Sequence, residues 1–327
     1  MGGARSKDGL EALKERLLAG DTRALARAIS LVEGGGEAGR QMTQLTFTHA
    51  GSAFVVGVTG IPGAGKSTLV DGLATLYRKA DERVGVVAVD PSSAFSGGAL
   101  LGDRIRMQRH TSDPGVFIRS MATRQHLGGL AVATPAVVDL IDAAGHQRIL
   151  IETVGVGQDE IEVIEMADTV VVAMVPGLGD DVQAIKAGIL EVADIFVINK
   201  SDREGADRLH QELENLRGLV EHPKGEWVSP IVRTVATTGE GIEELRAAIE
   251  QHAADPRNRP RRQERLRRAW ARRLRELIDE GLWSRLLEAM PLAQEMDGLV
   301  AEIAGRRRDP FSVAESILRR VRLKAGK

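Results

Sequence analysis

From residue 54 onward, short apolar runs alternate with longer stretches of helical spacing. The runs lie near residues 54–59, 84–89, 116–118, 149–151, 169–175, 195–198 and 228–235, and they are rich in Val and Ile. They are nearly continuous rather than alternating, which predicts strands buried on both faces of a parallel sheet. With helical stretches between them, the expected fold is α/β, a mostly parallel sheet with helices on both faces. Ahead of this core, residues 8–32 predict two short helices. Leu10, Leu13 and Leu17 share one face and Leu25, Ile29 and Val32 another, with Gly20-Asp21 as stop and N-cap. Residues 33–39, with four glycines, predict a flexible linker. The stretch from Pro256 to Pro260 predicts a boundary. Beyond it the chain is helical and arginine-rich, with Leu266, Trp270, Leu274, Ile278 and Leu282 at helical spacing. The expected organisation is an N-terminal helical arm and linker over 1–50, a core over 51–255 and a C-terminal helical region over 256–327.

Composition narrows the chemistry. The 327 residues carry a net charge of −2, which gives no general reason to expect a nucleic-acid binder. The absence of cysteine removes disulfides and thiolate metal sites. No run approaches a membrane span and the N-terminus has no signal-peptide apolar core, so the expectation is a cytoplasmic protein.

The strongest motif is Gly60-Ile61-Pro62-Gly63-Ala64-Gly65-Lys66-Ser67-Thr68, between an apolar run and a helix-like segment. Strand, glycine loop and helix form the context of a phosphate-binding loop. Gly60 and Gly65 allow backbone N–H groups to turn toward phosphate oxygens, and the helix N-terminus adds partial positive charge. Lys66 is expected to reach the outer phosphates and Ser67 to ligate Mg²⁺. The bland alternative is a plain glycine turn.

Asn199-Lys200-Ser201-Asp202 follows the apolar run from Ile195 to Ile198. A carboxylate at Asp202 can accept the N1–H and 2-amino protons of guanine, a donor pair that adenine lacks. Asn199 and Lys200 would brace the loop, and Ala236-Thr237-Thr238 would close over the base. Alone, Asp202 could be a helix N-cap and the Thr pair a strand-to-helix turn. A third signal is the strand ending in Glu152, followed by Thr153-Val154-Gly155-Val156-Gly157-Gln158. Glu152 would sit near Mg²⁺. Many GTPases carry a water-orienting glutamine directly after that glycine, and valine cannot orient water, so slow intrinsic hydrolysis is expected. Gln158 lies two residues on and is a weaker candidate for that task. A fourth is Asp90 at a strand end with Asp103 further along, both carboxylates being candidates for Mg²⁺ and the attacking water. The bland reading is an Asp-Pro turn and a helix cap. The seven histidines, His110 among them, are read as structural or surface residues.

Together these motifs resemble the methylmalonyl-CoA mutase-associated GTPases, the MeaB/ArgK-type family. The stretches that carry it are 60–68, 90–106, 152–158, 176–186 and 199–202, with 17–29 and 261–274 resembling the family's flanking helices. The resemblance implies a dimerising P-loop GTPase that binds GTP or GDP with Mg²⁺. Its implied task is to assist loading and protection of an adenosylcobalamin-dependent acyl-CoA mutase, methylmalonyl-CoA mutase first among them. It also implies that Ser67, Asp90, Asp103 and Glu152 surround the metal, that Lys66, Asp90 and Glu152 carry catalysis, that residues 177–188 form a further switch, and that homodimers form through the C-terminal helices.

Three other readings compete. A nickel-inserting GTPase would carry Cys or Cys-His sites near the switches, which this chain lacks. A transport-associated kinase would need an acceptor-substrate domain and would not need Asn199–Asp202. A nucleic-acid-binding NTPase would use the arginines of 261–275, but that helix reads as a solvated basic face over an apolar stripe, and aromatic residues make up only 3% of the chain, too few for a stacking platform.

Overall fold

The structure is a computed structural model that describes residues 2–90, 108–110, 112–122, 129–153, 166–177, 193–219, 227–289 and 292–320. It divides into two compact units, residues 1–269 and 270–327.

The first unit is built on seven strands, β1 (Phe54–Gly60), β2 (Val84–Asp90), β3 (Val116–Ala122), β4 (Arg148–Thr153), β5 (Thr169–Met174), β6 (Ile195–Asn199) and β7 (Ile231–Thr234). They form one sheet in the order β3-β2-β4-β1-β5-β6-β7, with every pairing parallel. All seven apolar runs of the sequence are strands, and β7 is shorter than the run at 228–235. Residues in β5 and β6 are buried throughout, as strands covered on both faces must be.

Three helices lead into the sheet, α1 (Gly2–Leu18), α2 (Thr22–Gly34) and α3 (Gly36–Thr46). Then follow α4 (Lys66–Lys79), α5 (Gly129–Ala143), α6 (Ala206–Leu219) and α7 (Ile242–Ala254). The N-terminal arm shares one core with the sheet and α5, through Leu17, Leu25, Ile29, Met42, Ile141 and Ile151. On the other face α4 and α7 bury Leu69, Leu73, Tyr77, Leu245 and Ile249 against Val56, Val58 and Val197.

Residues 33–39 are not a flexible linker. Gly35 (φ +67°) and Gly36 (φ +75°) make a two-glycine corner between α2 and α3. Gly39 lies where a Cβ would fall 2.6 Å from the Leu31 carbonyl oxygen. Glycine here permits the close approach of two helices, and Glu33 ion-pairs with Arg119 of β3. Composition could not separate this use of glycine from disorder, because the reason is a tertiary contact.

The long helix α8 (Asn258–Ala289) begins in the first unit and continues into the second. Its start is fastened to the sheet. Arg265 donates to the Asp194 carboxylate at 2.8 Å and to the carbonyls of Ala167 and Asp168 at 3.0 Å. Asp194 also accepts the Val170 N–H at 2.9 Å and faces His252 at 3.3 Å. The second unit holds the rest of α8 with α9 (Leu292–Ala304) and α10 (Pro310–Arg320), and Arg320 pairs with Glu295 between these last two. Among the described residues no helix is long and apolar enough to cross a membrane.

Candidate functional site

The loop after β1, the C-terminal ends of β2 and β4 and the turn after β6 border one space at the C-terminal edge of the sheet, where open α/β sheets bind ligands. A cavity of about 440 Å³ lies there, lined by Pro62, Gly63, Gly65, Lys66, Ser67, Thr68, Ala88, Val89, Glu152 and Lys200.

The loop after β1 takes its shape from its glycines. At Gly60 (φ +141°) a Cβ would fall 2.0 Å from the Ala173 carbonyl oxygen, so only glycine fits where β1 turns beside β5. Gly65 is the N-cap of α4 in the left-handed region (φ +82°), without a side-chain cap, and α4 has no acidic residue in its first turn. A helix start with no side-chain cap, no acidic residue and a lysine in its first turn, opening on a cavity, suits an anion. Lys66 is buried and its Nζ donates to the carbonyls of Gly60 at 2.8 Å and Ile61 at 3.0 Å, which holds the ammonium across the mouth of the loop.

Ser67, in the first turn of α4, donates its hydroxyl to Glu152 Oε1 at 2.5 Å. Both residues are buried at the cavity floor. A hydroxyl and a carboxylate from different elements converging on one point are hard oxygen donors, the chemistry Mg²⁺ requires when phosphates and waters complete its shell. The residues present therefore fit the ion. Asp90 ends β2, beside this floor, and its side chain lies outside the described residues, as does all of Asp103. Val154–Gln158 and residues 178–188 also lie outside them.

Asn199 joins the phosphate loop to the loops after β6 and β7. It is buried, donates to the Ala64 carbonyl at 2.7 Å, and accepts from Thr234 Oγ1 and Ala236 N–H, each at 3.1 Å. A Cβ on Gly65 would fall 2.4 Å from its Nδ2. Lys200 stands in the left-handed region (φ +56°) and donates to the Gly63 carbonyl at 2.8 Å, so its stem lies along the cavity. Asp202 is exposed on the turn that follows. The loop after β7 is closed by Thr238, whose N–H and hydroxyl both donate to the Val235 carbonyl at 3.0 Å, with Ala236 buried and Thr237 and Thr238 outward. Both loops of the proposed base site thus hang on one asparagine.

Sequence reasoning passed over Asp71 and read His110 only as a structural or surface residue; it is buried. Asp71 is buried one turn after Ser67 and meets Arg109 and His110. A carboxylate at a core position of α4 was the available signal.

A seven-stranded parallel sheet with a glycine phosphate loop after its central strand, braced by an Asn-Lys-x-Asp turn, defines a P-loop guanine-nucleotide-binding protein. Residues 25–291 match the family described as Methylmalonyl Co-A mutase-associated GTPase MeaB, and the chain belongs to that family as a P-loop GTPase. A candidate GTPase of Pyrococcus abyssi is 48% identical over 315 residues, spanning 95% of this chain and 97% of its own. GTPase ArgK of Escherichia coli is 36% identical, spanning 72% of this chain and 73% of its own. A solved structure described as LAO/AO transport system kinase superposes with a TM-score of 0.68 at 25% identity, covering 98% of both chains.

Proposed function

We propose that this GTPase is a nucleotide-driven chaperone for an adenosylcobalamin-dependent acyl-CoA mutase, methylmalonyl-CoA mutase foremost. The observation that carries the reading is the extent of the family match. It runs from the N-terminal arm through the phosphate loop and base loops into α8, and the family's description names association with that mutase. A mouse relative, 37% identical, bears the name Methylmalonic aciduria type A homolog, mitochondrial, which agrees with it.

In this reading Asp202 pairs with guanine while Asn199, Lys200 and the 236–238 loop frame the base. Lys66 and the loop amides of Gly60–Thr68 hold the phosphates. Ser67 and Glu152 would hold Mg²⁺, with Asp90 and Asp103 as the other oxygen donors. The ion would supply positive charge to offset that of the phosphates. Asp90 is the carboxylate assigned to the attacking water. Valine at 156 cannot orient that water and Gln158 is the weaker substitute two residues on, so basal turnover is slow and rises when the mutase binds. The chain acts as a cytoplasmic homodimer through its C-terminal helices, with the arm at 1–50, the GTPase core at 51–255 and the dimerising region at 256–327.

The test is co-purification with the host's B12-dependent mutases in the presence of GDP and of a non-hydrolysable GTP analogue, followed by GTP turnover in the complex. The expected result is association that differs between the two nucleotides and faster turnover. No association in either state would refute the chaperone reading.

A further inference from the structure

A second cavity, of about 400 Å³, lies at the opposite edge of the sheet from the phosphate loop. Phe54, the first residue of β1, and Asp168, just ahead of β5, form its sheet side. Gly60 ends the same β1 at the phosphate loop, roughly 20 Å away along the strand. The end of α7 contributes Ala253 and Ala254, the connection contributes Pro256, and the start of α8 contributes Arg259 and Arg262. All of these residues belong to the first unit. The volume is that of a small-molecule site.

The charges on its walls do not balance. Asp168 is buried, accepts the Val55 N–H at 2.8 Å and pairs with Arg262. Asp255, also in the wall, pairs with Arg257 and accepts that residue's backbone N–H at 2.9 Å. His252 is engaged on both sides of its ring, 2.7 Å from Thr169 Oγ1 and 3.3 Å from the Asp194 carboxylate. Each acid of the wall is thus matched by its own arginine. Arg259 is exposed, and its guanidinium makes no hydrogen bond or ion pair among the described residues. The first turn of α8 holds no acid to meet it. What is left is one uncompensated guanidinium beside an apolar wall of Phe54, Ala253, Ala254 and Pro256. Metal chemistry does not suit the place, since among the described residues no group of acids and histidines could hold a metal ion.

We propose that this cavity binds an organic anion, a carboxylate or phosphate carried on an apolar body. Arg259 takes the head group, since a guanidinium fork matches either oxyanion. The Phe54 side takes the body. Arg262 stays on Asp168, whose buried carboxylate would otherwise lose its countercharge. A small molecule is favoured over an acidic protein segment because a concave volume of about 400 Å³ accommodates a small molecule whole. The site is separate from the nucleotide cavity and rests neither on GTP hydrolysis nor on the mutase partner.

The experiment titrates the full-length protein, saturated with GDP and Mg²⁺ so that the phosphate loop is occupied, by ligand-observed NMR. The probes are phenyl phosphate, benzoate, inorganic phosphate and benzyl alcohol. The two aromatic anions should bind with dissociation constants on the order of 1 mM, the scale for ligands of about ten heavy atoms. Inorganic phosphate, without the body, and benzyl alcohol, without the charge, should bind at least about tenfold more weakly. Arg259→Ala should weaken the aromatic anions about tenfold, the scale of one charge-assisted hydrogen bond. Arg267→Ala should leave them within about twofold, because Arg267 is exposed two turns further along α8 and outside the cavity. Ala254→Trp, at an exposed position of the wall, should block them by filling the space; if it fails to fold, Arg259→Ala carries the test. No binding of either aromatic anion below about 10 mM would overturn the proposal. Equal losses in Arg259→Ala and Arg267→Ala would also overturn it, leaving only a diffuse basic surface, as would inorganic phosphate binding as well as phenyl phosphate. Should the small anions fail while Arg259→Ala weakens co-purification with the mutase, the place belongs to a protein partner and the proposal falls.

Discussion

At the scale of single residues, the site separates base reading from phosphate binding. Asp202 stands exposed where a base edge could reach it, while its neighbour Asn199 is buried in the scaffold. Asp202→Asn should therefore leave the fold intact, weaken GTP and favour xanthine nucleotides, whose 2-oxo group accepts where guanine donates. Competition binding checks it, and unchanged selectivity would sink the base-reading role. Lys66→Ala should remove most affinity for the nucleotide phosphates, read by calorimetry with GDP. Asp139, on α5, offers a test of a different kind. Burial, with the charge of Asp142 adding to it, pushes its carboxyl from 3.8 up to about 7. Between those values the folded state holds a proton that the unfolded chain has released, so stability falls as pH rises from about 4 to about 7. Asp139→Asn should match the wild type near pH 4 and exceed it above pH 7, by at most roughly 4 kcal/mol. Urea midpoints at the two pH values decide it, and a constant difference across the range would contradict the assignment.

Among the elements, what the sequence made legible is what strong local patterning governs. Parallel strands buried on both faces read as apolar runs, and the phosphate loop and the Asn199–Asp202 turn are short and contiguous. Asp21 was readable as an N-cap, and it accepts the N–H groups of Arg23 at 2.8 Å and Ala24 at 3.1 Å. Contacts between distant segments were not legible. Gly39 reads as part of a linker because nothing local says that Leu31 lies against it. Asp71 and His110 are 39 residues apart, and neither sits in a motif. Asp142 is another such case. At the end of α5 it accepts the N–H groups of Gly51, Ser52 and Ala53 at 2.5, 3.1 and 3.0 Å and the Ser52 hydroxyl at 3.0 Å. One carboxylate thereby fixes the entry to β1, the strand that ends in the phosphate loop. Asp142→Ala strands three amides and should cost on the order of 3 kcal/mol in denaturant unfolding. Nucleotide affinity under native conditions should change little, since the β1 exit is braced from the other side by Lys66 and Asn199. A stability loss below about 0.5 kcal/mol, the ordinary range for surface changes, would mean the amides find other partners.

For the whole molecule, the question is what covers the apolar residues of the helical unit. Leu274, Ile278 and Leu282 are 59%, 51% and 44% exposed, and Leu277 between them is 47% exposed. They recur every three or four residues along α8 and so form one stripe, flanked by arginines and glutamates. A stripe of this kind usually marks an interaction surface. A second copy is the occupant that fits the homodimer proposed above. It would meet the same face by two-fold symmetry, and the start of α8 is held to the sheet by Arg265 and Arg262 through Asp194 and Asp168. The prediction is a dimer at micromolar concentration in light scattering, converted to monomer by Leu274→Asp with Ile278→Asp. GDP affinity should survive the change, because the cavity residues all belong to the first unit. A wild type that runs as a monomer would remove the second copy as occupant. The stripe would then be the face to examine for mutase binding, by asking whether the same double substitution abolishes co-purification while turnover alone persists.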